Sequence, residues 1–189
     1  MILQQLINNI RTYFPISNDV QQVLYDCFEK LVLAKNEFLV TERKVCRYLY
    51  FLEQGALRGY HLLDGKEITQ WFAFENDFAT SFQSFVTEGP SAENIQLLEG
   101  CVLWSISKEK LTQLFNQYPE IERLVRIAYE KYYIRLEERF VNRQFKTASE
   151  LYEDLLQRTP HILERVPLGM VASYLGISQE TLSRIRSRL

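Results

Sequence analysis

The closing stretch PLGMVASYLGISQETLSRIRSRL, Pro167 to Leu189, has the spacing of a helix-turn-helix. Two short helices that cross steeply can share a core only if their contact faces are apolar and one contact is small. Val171, Leu175, Ile177, Leu182 and Ile185 fall on the inward positions, and Ala172 falls where the helices approach closely. Gly176 stands where the backbone must turn, because it can end the first helix in a left-handed cap. Ser178 is the expected N-cap of the second helix, with Glu180 in a first turn whose dipole favours negative charge. The outward face then carries Gln179, Glu180, Thr181, Ser183, Arg184, Ser187 and Arg188.

The N-terminal part of such a second helix enters the major groove. There Gln and Arg bond base edges, Glu accepts from cytosine, and Ser or Thr takes phosphate or base. The candidate DNA-binding residues are therefore Ser178, Gln179, Glu180, Thr181, Ser183, Arg184 and Arg188. The plain alternative is a helical hairpin with a solvated polar face. Charge favours the first reading. From Arg143 onward there are seven Lys/Arg against five Asp/Glu, and before it fifteen against nineteen, within a whole-chain charge of −2. A weakly acidic body with a basic end implies local DNA contact through two copies of the motif, not general polyanion binding.

With 189 residues, 47% of them hydrophobic and 24% charged, the chain can bury a sizeable core and hold one medium domain plus a small one. No apolar run reaches the length of a membrane span, and Gln and Asn interrupt the opening MILQQLINNIRTYF, unlike a signal peptide. A cytoplasmic protein with no membrane partner is expected. Cys27, Cys46 and Cys101 are odd in number and far apart, so neither a disulfide framework nor a cluster is indicated. His61 and His161 lie near no group of metal spacing, and no metal or cofactor is expected.

Upstream, Leu3, Leu6, Ile7 and Ile10, then Val20, Val23, Leu24, Cys27 and Phe28, show helical spacing interrupted at Pro15 and restarted at Ser17. From about Leu31 to Ile106 the pattern becomes short apolar segments between turn signals: Asn36, Gln54-Gly55, Asp64-Gly65, Gly89-Pro90 and Glu99-Gly100. These read as antiparallel strands of a sandwich or jelly roll, with Asp64-Gly65 the clearest hairpin. The helical period returns at Ser107. One helix is expected to Asn116, and Pro119 suits the first turn of the next. Ile121, Val125, Ala128, Tyr132, Leu136 and Phe140 make one stripe at steps of three and four. A stripe this long either packs on its own domain or pairs with a second copy, and pairing is favoured because two half-sites call for a two-fold dimer. The expected dimer interface is Ile121, Val125, Ala128, Tyr132 and Leu136. Thr147-Ala-Ser-Glu150 is a capping box opening a helix to about Arg158, so a second domain, 143–189, follows a first, 1–142, whose long helix spans about 107–142.

This order of α+β elements, N-terminal helices, antiparallel β-roll, long helix and helix-turn-helix, resembles the Crp/Fnr family of bacterial transcription regulators along essentially the whole chain. Besides SQETLSRI, the resemblance rests on YFLEQGALRGY (Tyr50 to Tyr60) and on the DGKE turn leading into FENDF. It implies a homodimeric, DNA-binding transcription regulator joined through the long helix, with an effector pocket in each roll and RNA polymerase as a further partner. It matches Gln179, Glu180 and Arg184 to the base-contacting residues of the recognition helix. Cyclic-nucleotide-binding members hold the phosphate with a Gly-Glu pair and an Arg before Ser/Thr-Ala. Here Thr80 and Ser81 stand at the Gly-Glu positions and Pro90 at the Arg, before Ser91-Ala92. Losing that charge-assisted contact costs on the order of a hundredfold in affinity or more. Cyclic AMP is therefore not expected to bind. The roll either takes a different ligand among Phe74, Phe78, Thr80, Ser81, Phe82 and Ser91, or none.

The chain stops at Leu189, the end of the recognition helix, so no wing is expected in 143–189. Phosphate anchoring would fall to Arg184, Arg186, Arg188 and to Arg143, Lys146 or Arg165. A second class of function is a signalling or protein-interaction module of the same architecture that no longer reads DNA. The retained Gln, Arg, Ser and Thr from Gln179 to Arg188 speak against it. An enzyme is not expected, because no phosphate loop, nucleophile elbow or zinc motif occurs and Glu137-Glu138 sit on a solvated helix face.

Overall fold

The computed structural model describes residues 4–187. Two helices open the chain, α1 (Gln4–Tyr13) and α2 (Asn18–Cys27), on either side of Pro15. The Ser17 hydroxyl caps α2 by accepting from the Val20 N–H at 3.3 Å. Leu3 and Arg188, which the sequence placed in a helix and on the reading face, lie outside the described residues.

The strands form two four-stranded antiparallel sheets. One holds β1 (Glu29–Leu33), β8 (Cys101–Ser107), β3 (Tyr48–Gln54) and β6 (Phe78–Ala79); the other holds β2 (Phe38–Val40), β7 (Asn94–Leu97), β4 (Leu57–Leu63) and β5 (Lys66–Ala73). This is the expected jelly roll. Asp64 and Gly65 both take positive φ, 50° and 76°, where a two-residue turn joins Leu63 to its partner Lys66. Gly59 is required for a different reason: an added Cβ would sit 2.1 Å from the Trp71 indole packed over it. Leu52, Leu57, Leu97 and Leu103 are fully buried between the sheets, while Phe51, next to Leu52 in β3, is buried in a second cluster shared with α1 and the helices that follow the roll. A short helix, α3 (Phe82–Thr87), interrupts the roll between β6 and β7.

After the roll come α4 (Lys108–Gln117) and α5 (Pro119–Phe145). The helix expected from Ser107 and the one expected to open at Pro119 both form, and together they make up the span 107–142. Pro119 starts a new helix because it lacks the N–H that would continue α4, and the first helical position needs none. α5 then runs three residues past the expected boundary, to Phe145, with Lys146 as its C-cap. α6 (Ala148–Arg158) opens on the complete Thr147/Glu150 capping box. α7 (Ile162–Arg165) is a single turn that the sequence did not announce, followed by α8 (Leu168–Leu175) and α9 (Gln179–Arg186).

Candidate nucleic-acid interface and effector site

The α8–α9 unit forms as the spacing requires. Gly176 adopts φ 73°; its N–H reaches the Ser173 carbonyl and the Ile177 N–H reaches that of Ala172, the paired bonds that close a helix through a left-handed residue. Val171, Ala172, Leu175 and Leu182 are buried together, with Ile177 and Ile185 packed against them. Ser178 caps α9 by accepting from the Thr181 N–H at 3.2 Å. A Cβ on Gly169 would lie 3.0 Å from Gln179 Oε1, so the two helices touch closely at that point as well. With Leu182 fully buried, Gln179, Glu180, Thr181, Ser183, Arg184 and Arg186 all stand exposed. The Ser178 hydroxyl and the first-turn backbone hold the Glu180 carboxyl below its ordinary range, so the face presents a carboxylate beside a guanidinium.

The cation positions expected to anchor phosphate are distributed differently. Lys146 pairs with Asp154 at 2.5 Å, and Arg143 donates to the Tyr174 carbonyl. Arg165 is wholly committed to the roll. It donates to Glu75 Oε2 and Oε1 at 2.8 and 2.7 Å and also to Glu99, while its guanidinium lies 5.2 Å from the Phe74 ring centroid. Arg165 holds the Glu75 carboxyl down at about 2, and the two carboxylates raise the Arg165 value in turn.

Arg165 is the centre of a wider joint that no sequence period announces. Ala56 and Leu98, both buried, together with Phe72 and Phe74, share one apolar cluster with Leu155, Ile162, Val166 and Leu175 of the terminal helices. Phe72 and Tyr174 meet with ring centroids 5.4 Å apart. β5 is the edge strand of its sheet, and an exposed edge is a row of unpaired backbone groups. Ser173 covers it: its hydroxyl accepts from the Thr69 N–H and donates to the Glu67 carbonyl, each at 3.0 Å. Arg139 of α5 donates to a further β5 carbonyl, that of Gln70.

The six residues expected around an effector lie in three places. Phe74 belongs to this joint, on the outside of the roll. Phe78 packs against Phe51, centroids 5.3 Å apart, in the cluster that the roll shares with the flanking helices. Thr80, Ser81, Phe82 and Ser91 remain near one another and are occupied by the protein itself. Thr80 Oγ1 donates to the Tyr48 carbonyl, and the buried Ser81 and Ser91 hydroxyls bond each other at 2.8 Å. Phe82 stacks on Tyr132 and meets Tyr129 edge-on, with centroids 5.6 and 5.2 Å apart. The Glu93 carboxylate accepts from the Trp71 indole at 2.9 Å and raises the Tyr132 hydroxyl further above its ordinary value, after burial. Hydroxyls, aromatic rings and a carboxylate therefore stand together at this end of the roll.

The expected dimer stripe also divides. Ile121 is 1% exposed within the chain's own core, Val125 packs against that core, and Tyr132 lies on Phe82. That side of α5 faces the roll, and Arg139 and Arg143 continue it. Roughly half a turn round the helix, Ile127, Ile134 and Val141 recur every seventh residue and Phe145 follows. Ile134, Val141 and Phe145 are 53%, 43% and 81% exposed. Leu136, 45% exposed, and Ala128 border the covered side. Among the described residues no group of His, Cys, Asp and Glu could hold a metal ion, and no helix is long and apolar enough to cross a membrane.

Residues 30–118, from β1 to the end of α4, match the cyclic nucleotide-binding domain. No curated protein matches the chain by sequence. Among solved structures it is similar to FixK2 from Bradyrhizobium japonicum, at 21% identity and a TM-score of 0.71 over 86% of this chain and 84% of that one. It is similar to a Crp/Fnr-family regulator from Eubacterium rectale, at 18% identity and a TM-score of 0.69 over 94% and 87%. The catabolite activator protein of Thermus thermophilus superposes at 17% identity and a TM-score of 0.57 over 96% and 86%. Residues 30–118 thus match the cyclic nucleotide-binding domain, and the chain has the fold of these solved structures, a Crp/Fnr-family regulator among them.

Proposed function

We propose that this protein is a homodimeric, cytoplasmic transcription regulator that reads double-stranded DNA with α9 and takes no cyclic nucleotide. The observation that carries the reading is the exposed face of Gln179, Glu180, Thr181, Ser183 and Arg184 on a glycine-turned helix pair whose other face is buried. Nothing in the α8–α9 core needs Arg or Gln at those positions, and a major groove does. The part up to about residue 146 is the controlling unit and the part from Thr147 is the reading unit, with RNA polymerase a further partner.

Two copies join along the uncovered side of α5, through the half-buried Ile127 and through Ile134, Val141 and Phe145, since pairing there buries the last three, which the roll leaves in water. The roll pocket does not accept cyclic AMP: Pro90 supplies no guanidinium, Ser81 and Ser91 satisfy each other, and Phe82 with Tyr132 fills the space beside them. The tests are selection of bound sequences from a random DNA pool and calorimetry with cyclic AMP and cyclic GMP. A palindromic site with half-sites about one helical turn apart is expected, with no heat from either nucleotide. A pool that fails to enrich refutes DNA reading and favours a protein-interaction module, and micromolar nucleotide binding refutes the pocket argument.

A further inference from the structure

The junction of α5, α6 and α8 holds a cleft of about 60 Å³ that the roll and the reading helix do not use. Three guanidinium groups line it, Arg139, Arg143 and Arg158, against one carboxylate, Asp154. That carboxylate is already paired with Lys146 from outside the lining, at 2.5 Å. We propose that this cleft is a binding site for a phosphate group, free or on a small metabolite, seated among Arg139, Arg143 and Arg158.

The donors are both available and held. Each arginine spends a single nitrogen within the protein: Arg139 on the Gln70 carbonyl, Arg143 on the Tyr174 carbonyl and Arg158 on Glu138 at 3.5 Å. A guanidinium has five N–H donors in a fixed fork that matches phosphate oxygens, so most remain free to face a ligand. The two carbonyl bonds restrain Arg139 and Arg143, and Arg139 lies over the Tyr174 ring at 5.4 Å. Less side-chain freedom is therefore lost on binding than three unrestrained arginines would lose. Leu151, Leu155 and Leu175 also line the cleft and lower the local dielectric, which strengthens charge-assisted bonds. Like charges gathered in one small space repel, and an anion relieves that repulsion.

The location gives the site a consequence. Arg139 and Arg143 lie at the end of α5, while Arg158 belongs to α6 beyond the break at Lys146, so a bound phosphate bridges the two sides of that break. The cleft lies on the roll-facing side of α5, away from Ile134 and Val141, and stays open when two helices pair. A phosphate there fixes the terminal helices on the long helix and thereby the spacing of two copies of α9. This regulatory consequence rests on the DNA-reading function proposed above; the binding itself does not.

The test is calorimetric titration of the full chain, without DNA, with inorganic phosphate, pyrophosphate and ADP. Pyrophosphate is expected to bind, with at least tenfold weaker binding in Arg143→Ala and in Arg158→Gln and an unchanged affinity in Arg126→Ala, which removes an exposed cation of α5 outside the cleft. Arg158 is 56% exposed, so its substitution leaves the fold intact, and the melting temperature of each variant without ligand checks this. Equal affinity for ADP and pyrophosphate identifies the phosphate group alone as the ligand; a tenfold preference for ADP identifies a nucleotide. Absence of millimolar binding by all three, or binding that neither arginine substitution weakens, overturns the proposal. It is also overturned if the variants bind anions like the parent while losing affinity for duplex DNA of any sequence, because the arginines then serve the DNA backbone.

Discussion

Replacing Arg165 by alanine should loosen the joint between the roll and the terminal helices, and the structure sets the size of the effect. Arg165 first, with a smaller share from the Gly55 N–H that donates to the same carboxylate, holds Glu75 at about 2, against an ordinary 4.5, so the full difference is an upper bound on what Arg165 supplies. At 1.36 kcal/mol per pH unit, that difference corresponds to about 3 kcal/mol. Glu75 and Glu99 are each 35% exposed and Arg165 is 25% exposed, so solvent screening reduces the net value to about 1–2 kcal/mol. Loss of the guanidinium from the Phe74 ring adds roughly 0.5–1 kcal/mol. A total near 2 kcal/mol should lower the urea midpoint at pH 7 by about 1 M. The pH dependence has a definite sign. The folded carboxyl is depressed, so the stabilisation is complete above the unfolded value of 4.5 and disappears as pH falls through about 2. Between those limits the parent should lose stability more steeply than Arg165→Ala, and the two curves should converge at the acid end. A cycle combining Arg165→Ala with Glu75→Ala should return about 1–2 kcal/mol of coupling. Equal midpoints at pH 7 together with equal acid slopes would refute the argument.

Arg184→Ala should weaken binding to the selected site by roughly 1–3 kcal/mol and random DNA much less, measured by competition with the two duplexes; an equal loss on both would assign Arg184 to phosphate. Ile134→Glu should convert the dimer to monomer in sedimentation without lowering the protomer's melting temperature, whereas Tyr132→Ala, which removes the ring on Phe82, should lower it. Unchanged sedimentation of Ile134→Glu would leave the uncovered side of α5 without a role. Gly176→Ala places a Cβ at φ 73° and should cost about 1–2 kcal/mol in thermal unfolding, through strain alone, because nothing lies within 4 Å of that Cβ.

Local chemistry wrote much of this structure into the sequence. Ser17, Ser107, Thr147 and Ser178 cap helices where their hydroxyls fall ahead of apolar periods, because a cap needs only an oxygen within one turn of free N–H groups. Asp64-Gly65 turns a hairpin and Gly176 ends a helix because positive φ is tolerated by few residues. The exposed face of α9 was legible for the same reason: once Val171, Leu175 and Leu182 are inward, helical geometry dictates which side chains are outward. What depended on distant partners was not legible. Period alone identified the stripe on α5 but could not say whether the roll or a second copy covers it, since α5 is apolar on two sides and only the docked roll separates them. Phe74 was grouped with Phe78 and Phe82 by proximity in the chain, yet the sheet sends it outward to Arg165. The Arg165–Glu75–Glu99 joint, Ser173 on the edge of β5 and the arginine cleft join residues far apart in sequence. Caps, turns and helix faces follow from neighbours along the chain and were determined by sequence alone; the joints follow from which surfaces the packed core brings within reach, and only the tertiary structure decided them.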